Sequence, residues 1–386
     1  MDNVRIFAKT LEDEAFAQIS SMAESEAYRG CQIRIMPDCH AGKGCTVGTV
    51  IRTDGKVVPN TVGVDIGCGM LVCALGTADI DLKELDRAIN ENIPYGFASH
   101  DKPVTEFDDI HRLRCAESVD TENALRQIGS LGGGNHFIEL GEDKSGNKYL
   151  VIHSGSRHLG VSVCNHYQTL ASKNSDKRKT IVEETIRRLK SEGREREIEE
   201  EIRKIPRNNT DKDLAYLDGE QLEDYLHDME IAQRYASLNR HKMADIILDK
   251  LGIEGGERFE TIHNYVDTES GTIRKGAVSA SNGETLIIPI NMRDGSLMCV
   301  GKGNPEWLES APHGAGRILS RNKAKSTLSM DEFRKSMEDV YSTSVCESTL
   351  DEAPMAYKPI GEIVECIQPT VTIQSVIKPL YNFKAK

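Results

Sequence analysis

The stretch VDIGCGMLVCAL, residues 64–75, joins a glycine-rich turn to a continuous apolar run. Comparable runs occur from about residue 30 to 160 as QIRIM, CTVGTVIRT, NHFIEL and KYLVIH, and glycine-rich or polar segments separate them. Because several of these runs are too apolar to leave one face in water, they predict strands that are covered on both sides. The sequence therefore favours a sheet-based core.

Strand signals return in RFETIHNYV (258–266), RKGAVSA (274–280) and ETLIIPINM (284–292). The tail TVTIQSVIKPLYNFKAK predicts a last strand that runs to the C-terminus, and residues 330–341 have a helical pattern. The chain contains no internal repeat, low-complexity block or Pro/Ser-rich linker. We therefore predict a single α/β (α+β) domain over residues 1–386, in which mixed β-sheets are flanked by helices.

Residues 161–251 predict a helical insertion within that domain. Its first part contains the highly charged segment 176–205, and its second part has a stripe of residues at steps of three and four. The stripe consists of Leu222, Tyr225, Met229, Ala232, Ala236, Asn239, Met243 and Ile246. This spacing is typical of a long amphipathic helix. We favour a stripe that covers the sheet over the alternative of a substrate clamp or partner surface.

Composition narrows the class of protein. The 386 residues carry a net charge of −13, so affinity for nucleic acid would have to come from a local basic groove. No segment approaches the roughly 18 apolar residues of a membrane span, and the N-terminus does not resemble a signal peptide. Ten cysteines without a CxxC pair argue against a disulfide scaffold or a zinc ribbon. We expect a soluble cytoplasmic protein with no membrane partner.

The turn in VDIGCGM places a carboxylate and a thiol close together. In an extended strand Asp65 and Cys68 would point to opposite faces, but Gly67 allows the backbone to turn so that both converge. A thiol with an ordinary pKa near 8.5 needs a nearby positive charge to ionise fully at neutral pH. The pair therefore indicates a metal site.

Three histidines in similar settings are the best candidates for the remaining ligands. His136 lies in GGGNHFIEL, His153 in VIHSGSR and His263 in ETIHNYV, each in a glycine-rich segment or at a strand end. Taken singly, a histidine of this kind is more commonly a structural residue than a ligand. Together with Asp65 and Cys68 they exceed one four-coordinate site, which suggests two ions with Cys68 as a bridge. Manganese, zinc or iron would suit such mixed ligands.

Two other histidines, His40 in PDCHAGKG and His158 in SRHLG, are left outside the metal set because nothing in their setting distinguishes a ligand from a loop residue. The segment GKGNPEWLESAPHGAGRILSR, 301–321, combines glycines with basic residues, a usual setting for phosphate. Within it, His313 could be a general base, a nucleophile or a turn histidine, and the spacing leaves these open. HSGSR could hold a phosphate or an RNA end, or Ser154 or Ser156 could cap a helix.

In this order, PDCHAGKG, VGVDIGCGM, GGGNHF, HSGSR, HN, GKGNP and HGAGR resemble the RtcB family of GTP-dependent RNA ligases, from about residue 30 to the C-terminus. The resemblance implies that two Mn²⁺ ions are bound by Asp65, Cys68, His136, His153 and His263. It also implies that His313 attacks the α-phosphate of GTP and becomes guanylylated. The guanylate would pass to an RNA 3′-phosphate, formed from a 2′,3′-cyclic phosphate where needed, and a 5′-hydroxyl would complete the joining with release of GMP.

The resemblance also implies a set of nucleotide contacts. They are Asn135, His136, Asn264, Pro289, Asn291, Met292, Ser296, His313, Gly314, Ala315, Gly316, Arg317 and Lys384. Two segments depart from the family pattern. PINM stands where the family has PGSM, which puts Ile290 in place of a glycine, and KPLYNFKAK replaces an ending similar to RPLGVVKG. We align Lys384 rather than Lys386 with the family lysine.

Two alternatives remain beside the ligase. The first is a phosphoesterase with two metal ions in which His313 acts only as an acid or base. The second is a catalytically silent RNA-binding homologue. For the ligase we expect RNA ends as the substrate in RNA repair or tRNA splicing, an activating protein as a possible partner, and a monomer.

Overall fold

The computed structural model describes residues 3–205 and 212–385, with every side chain in these ranges except those of residues 175–179. Its α-helices are α1 (Asp13–Glu24), α2 (Pro59–Val62), α3 (Leu82–Asn92), α4 (Thr121–Gln127), α5 (Arg157–Ser191), α6 (Ile198–Lys204), α7 (Gly219–Leu251), α8 (Arg321–Thr327), α9 (Met330–Ser336) and α10 (Ile360–Ile367). Short 3-10 helices span Asp108–Arg112, Ala116–Ser118, Glu195–Glu197, Lys212–Leu214, Pro305–Trp307, Glu347–Glu352 and Pro354–Ala356.

Within the described residues, the strands form three sheets. They are β1 (Val4–Ile6), β2 (Gln32–His40), β3 (Val47–Arg52), β4 (Gly69–Gly76), β5 (Phe137–Glu142), β6 (Lys148–Ser154), β7 (Arg258–Ile262), β8 (Asn264–Asp267), β9 (Thr272–Lys275), β10 (Ala277–Ser279), β11 (Thr285–Asn291), β12 (Gly295–Gly301), β13 (Ser310–Pro312) and β14 (Val371–Lys384). The largest sheet is antiparallel, with the order β11-β12-β14-β5-β6-β4-β7. The second is β1-β2-β3-β9-β8, in which β1 and β2 run parallel, and β10 pairs with β13. This confirms the predicted α/β (α+β) class.

Strand β4, which contains the apolar run that follows the glycine-rich turn, is buried on both faces. On one face Leu71 and Cys73 pack in a cluster that includes side chains of α3 and α7. On the other face Met70 and Val72 pack with Phe137 of β5 in a second cluster. Because side chains alternate along the strand, its apolar groups pack in two clusters, one on each face of β4. The prediction of strands without a solvated face is confirmed for β4.

Helix α7 confirms the long amphipathic helix predicted from the stripe. Tyr225 and Met229 in its first half pack in a core that includes side chains of the five-stranded sheet. Met243 and Ile247 in its second half pack in the core of the seven-stranded sheet. Helices α5, α6 and α7 occupy most of 161–251, although 206–211 lie outside the described residues. That this region is an insertion in a single domain stays a prediction. No described helix is long and apolar enough to cross a membrane.

Three elements differ from the sequence prediction. RFETIHNYV is broken at His263, so that β7 joins the seven-stranded sheet and β8 joins the five-stranded one. RKGAVSA is broken at Gly276, whose φ of 58° does not continue a strand. The predicted helix 330–341 ends at Ser336. The break at His263 matters most, because it places this histidine where two sheets meet.

Candidate active site

The Asp65–Cys68 turn has the geometry that its glycine predicts. The backbone N–H of Cys68 donates to the carbonyl of Asp65 at 3.2 Å, and Gly67 has a φ of 71°. A Cβ atom on Gly67 would lie 2.8 Å from the Cα of Gln233 in α7. Glycine is therefore required both by the backbone conformation and by the close approach of the helix.

The five residues predicted to bind metal converge on one point, and we call them the metal cluster. The Sγ of Cys68 lies 3.4 Å from the Nε2 atoms of both His136 and His153. The Nε2 of His153 lies 3.4 Å from that of His263, and the Nε2 of His136 lies 3.1 Å from Asp65 Oδ2. The atoms form two groups that could each hold a cation, Asp65–Cys68–His136 and Cys68–His153–His263. Cys68 belongs to both groups.

Backbone carbonyls fix the orientation of two of these imidazoles. The Nδ1 of His136 lies 2.9 Å from the carbonyl of Leu131, and the Nδ1 of His153 lies 3.2 Å from that of Asn135. A carbonyl can only accept, so each Nδ1 carries the proton and each Nε2 presents its lone pair to the cluster. These are the tautomers that metal ligands require.

Burial and charge also favour a cation in the cluster. Burial lowers the pKa of His153 and of His263 well below the ordinary value, which keeps both rings neutral. Burial and the neighbouring Asp65 raise the pKa of the Cys68 thiol, so a positive charge is needed to stabilise its thiolate. Burial would raise the pKa of Asp65, but the adjacent His136, followed by Cys68 and Arg157, lowers it overall. The donor set therefore fits two divalent ions that share a thiolate.

His313 lies beside the metal cluster and is held by Asp38, a residue that our sequence interpretation missed. Their side chains meet at 2.7 Å between His313 Nδ1 and Asp38 Oδ2. The same oxygen accepts the backbone N–H groups of His313 and Gly314, each at 3.1 Å. The ring of His313 lies 4.8 Å from that of His263, centroid to centroid. The contact leaves the Nε2 of His313 as the free nitrogen of the ring.

The two histidines left outside the metal set do not belong to either metal-capable group. His40 contacts the carbonyl of Asp38 through Nδ1 at 3.1 Å, and burial lowers its pKa to about 4. His158 contacts Ser162 on α5. Ser156 occupies the N-cap position of α5, but its side chain makes no cap bond and its backbone N–H donates to Asp65 Oδ1 at 3.0 Å. The hydroxyl of Ser154 donates instead to the carbonyl of Leu131 at 2.8 Å, so the prediction that one of these hydroxyls caps a helix is wrong.

A cavity of about 630 Å³ opens in front of these groups. Its lining includes His313 and most of the predicted nucleotide contacts, namely Asn135, Asn264, Pro289, Asn291, Met292, Gly314, Ala315, Gly316, Arg317 and Lys384. His136 and Ser296 are not among the lining residues: His136 points into the metal cluster, and Ser296 is buried in β12. Lys302 of GKG donates to the carbonyl of Gln368 at 2.5 Å and likewise does not line the cavity.

The segment PINM forms an irregular end of β11. The pairing with β12 shifts register between Pro289 and Asn291, and Ile290 between them packs in an apolar core. The Oδ1 of Asn291 accepts the backbone N–H groups of Arg293 and Asp294 at 3.0 and 2.9 Å. Ile290, which stands where the resemblance implies a glycine, is therefore mostly buried in this core, and it also contributes to the lining of the cavity.

Lys384 belongs to a group of paired charges that we call the charge network. Its members are Arg317, Arg321, Asp351, Glu352, Tyr357 and Lys384. Glu352 accepts from Arg321 at 2.6 Å, from Tyr357 at 2.7 Å, from Arg317 at 3.2 Å and from Lys384. Burial would raise the pKa of Glu352, but Lys384 and Arg321 lower it to about 2. The network pairs Lys384 with Glu352 at the cavity wall. Lys386 lies outside the described residues.

Arg240 of α7 ties three segments of the metal cluster together. Its guanidinium is fully buried and donates at 2.8 Å to the carbonyls of Gly67 and Ser154, which adjoin Cys68 and His153. It also pairs with Glu260 of β7 at 2.8 Å. No sequence pattern indicated this role, because an arginine on an amphipathic helix normally faces solvent.

Asn239, the polar break in the stripe, has a similar task. Its Oδ1 accepts the backbone N–H groups of Gly129 and Ser130 at 2.8 and 3.0 Å. Its Nδ2 donates to Ser154 Oγ and to the carbonyl of Gly155, both at 3.1 Å. All four hydrogen bonds are buried. Asn239 therefore interrupts the apolar stripe because its side chain connects two loops that flank the site.

Comparisons with known proteins agree with this arrangement. A family model described as "tRNA-splicing ligase RtcB" matches residues 18–119 and 105–385. The chain is 33% identical to "RNA-splicing ligase RtcB" of Escherichia coli K12 and 34% identical to "RNA-splicing ligase RtcB1" of another E. coli strain, with 89% of each chain covered in both cases. It is 24% identical to "tRNA-splicing ligase RtcB" of Pyrobaculum aerophilum, over 89% of this chain and 85% of that one. The chain therefore belongs to the RtcB family.

Proposed function

We propose that the protein is an RNA ligase that uses GTP to join an RNA 3′-phosphate, or a 2′,3′-cyclic phosphate after opening, to a 5′-hydroxyl. The relatives named as RNA-splicing and tRNA-splicing ligases support RNA joining. One observation carries the proposed mechanism: the pair of Asp38 and His313, whose free Nε2 lies beside the metal cluster and at the cavity.

The first step is nucleotide transfer to His313. Asp38 accepts a hydrogen bond from Nδ1–H, which leaves the lone pair on Nε2 to attack the α-phosphorus of GTP. A bond forms between Nε2 and this phosphorus, and the bond to the bridging oxygen of the β-phosphate breaks with release of pyrophosphate. The ring gains positive charge as the bond forms, and the Asp38 carboxylate stabilises it as in other aspartate–histidine pairs.

The second and third steps use RNA. An oxygen of the RNA 3′-phosphate attacks the guanylate phosphorus and displaces the imidazole, which gives RNA with an activated 3′ end. The 5′-hydroxyl then attacks the RNA phosphorus, loses its proton, and releases GMP as the new phosphodiester forms. We assign the cations to the metal cluster as two Mn²⁺ ions, which would polarise phosphoryl oxygens and neutralise charge in these steps.

Residues at the cavity support guanine as the base. Glu139 of β5 lines the cavity with one carboxylate oxygen, Oε1, that has no hydrogen-bond partner in the described parts of the chain. A buried acceptor without a partner favours a ligand with N–H groups, and guanine presents them on N1 and N2. Lys384 lines the same cavity and can donate to the guanine carbonyl. Glu139 lies two residues after the last residue of the GGGNHF motif, so its position was a usable sequence signal.

The test is to incubate the purified protein with α-³²P-GTP and Mn²⁺, and then with RNA ends bearing 3′-phosphate and 5′-hydroxyl groups. We expect an acid-labile covalent label that is absent in His313→Ala, followed by GTP-dependent joining. Cleavage of phosphate esters without a label would favour the phosphoesterase alternative. RNA binding without label, joining or hydrolysis would favour a silent homologue.

A further inference from the structure

Asn382 of β14 lies directly opposite Glu139 of β5 in the register of the seven-stranded sheet. Directly opposed residues of two antiparallel strands project to the same face. Both side chains are 2% exposed, both line the cavity, and the Nδ2 of Asn382 donates to Glu139 Oε2 at 2.9 Å. This bond fixes the orientation of both planar groups.

The bond leaves one acceptor atom on each side chain without a partner. Within residues 3–205 and 212–385, neither Glu139 Oε1 nor Asn382 Oδ1 has a hydrogen-bond partner. A buried acceptor that loses water without gaining a donor is unfavourable, and two of them on neighbouring side chains are unusual. Because both residues line the cavity, a ligand with two adjacent N–H groups would satisfy both.

A donor lies next to these two acceptors. Lys384 is two residues after Asn382 and therefore on the same face of β14. Its ammonium lies 5.4 Å from the centre of the Phe137 ring and 3.3 Å from the carbonyl of Asn135. The cavity wall thus presents two acceptors and one cationic donor. The Watson–Crick edge of guanine has the complementary pattern of two N–H donors beside one carbonyl acceptor.

We propose that Asn382 is a specificity-determining residue for guanine, with Oδ1 accepting from the exocyclic N2 amine and Nδ2 holding Glu139 so that its Oε1 accepts from N1–H. This inference rests on the proposed function and adds a residue that recognises the base. Hypoxanthine keeps N1–H and the carbonyl but lacks the amine, so it leaves Asn382 Oδ1 unpartnered. Adenine lacks N1–H and the carbonyl, so it opposes both Glu139 and Lys384.

The test compares dissociation constants and covalent labelling for GTP, ITP and ATP in the wild-type protein and in Asn382→Leu, which nearly preserves the shape of the side chain. We expect the wild type to bind ITP roughly fivefold to tenfold more weakly than GTP, the ratio set by one hydrogen bond. In Asn382→Leu we expect this ratio to fall to about two. Tyr381→Phe is the matched control, because Tyr381 is adjacent on β14 and its hydroxyl bonds instead to Asp86 at 2.9 Å.

Wild-type protein that binds GTP and ITP equally would overturn the inference, and this result needs no variant to fold. An unchanged GTP/ITP ratio in folded Asn382→Leu, with covalent GMP still formed, would overturn the inference while leaving the proposed function intact. No covalent label with any nucleotide in the wild type would overturn both.

Discussion

The metal cluster and the charge network lie at the same cavity but differ in how their charges are balanced. In the metal cluster, two neutral imidazoles face each other at 3.4 Å through Nε2 atoms, and the thiol of Cys68 lies near the carboxylate of Asp65. In the charge network, Glu352 is paired with three cations and a tyrosine. The first arrangement leaves donor atoms available to a cation from outside, whereas the charge of Glu352 in the second is already paired within the protein. Under the proposed function, the metal cluster would hold the cations and the charge network would exchange partners with an anionic substrate.

Removal of the shared thiol should have the largest effect. In Cys68→Ser we expect Mn²⁺ binding and guanylylation to fall below detection, because both groups of ligands lose their common thiolate. The loss should exceed the roughly 10- to 100-fold effect that is typical of outer-shell partners of metal ligands. Metal content by atomic absorption and α-³²P-GTP labelling measure the two quantities. Cys299→Ser, at a cysteine buried in an apolar core, should change neither. Full metal content and labelling in Cys68→Ser would contradict a bridging role.

The next largest effect should be on the reactivity of His313, without any effect on metal binding. In Asp38→Asn we expect guanylylation to slow about 10²- to 10⁴-fold, because a neutral amide neither selects the Nδ1–H tautomer of His313 nor stabilises its positive charge. The Mn²⁺ content should stay unchanged, since Asp38 belongs to neither group of metal ligands. Single-turnover labelling gives the rate. Asp81→Asn, at the residue that caps α3, is the control. A normal labelling rate in Asp38→Asn would show that His313 does not depend on this contact.

A third substitution tests whether the pairing of Glu352 with three cations stabilises the fold. Glu352→Gln leaves Arg317, Arg321 and Lys384 without their shared carboxylate, and we expect the free energy of unfolding to fall by about 3–5 kcal/mol. GTP should restore part of this loss by supplying negative charge. Urea denaturation with and without GTP measures both effects. Glu306→Gln removes an exposed pair with Arg5 and should cost less than about 1 kcal/mol.

The low pKa of Glu352, about 2, sets the pH window of the same effect. A carboxyl group with a lowered folded-state pKa stabilises the fold above its unfolded pKa of about 4.5, and this stabilisation is lost as the pH falls toward 2. The wild type should therefore lose this stability between about pH 4.5 and 2, and Glu352→Gln should lack this component. Equal acid sensitivity in both proteins would show that the network does not depend on the Glu352 charge.

The smallest effect should be on recognition of the guanine base, seen as a pH dependence of GTP binding. Burial raises the pKa of Glu139 to about 8, against the opposing influence of Asn382 and Lys384, the polar and charged groups that face it. Guanine needs the ionised carboxylate, so GTP binding below pH 8 must release a proton. We expect the dissociation constant to rise by up to about tenfold for each pH unit below 8 and to be constant above it. Titration calorimetry in two buffers measures the proton release, which Glu139→Gln should abolish.

The sequence predicted the candidate metal ligands better than it predicted the residues that hold the site in place. The motifs around Cys68, His136, His153 and His263 sit at strand ends and in glycine-rich turns, where local patterns are informative. The contact between Asp38 and His313 joins residues 275 positions apart, and no local pattern predicts such a pairing. The burial of Arg240 was not predicted for another reason, because an arginine on a helix is normally exposed to solvent.

The sequence by itself determined the apolar strands, the long helix, the turn at Gly67 and the ligand types, because each follows from side-chain periodicity or from the backbone freedom of one residue. Only the tertiary structure decided that Asp38 faces His313, that Asn382 faces Glu139 and that Arg240 is buried behind Cys68. These contacts depend on strand register and sheet packing. Register and packing are set by many weak interactions over the whole chain, so no short stretch of sequence contains them.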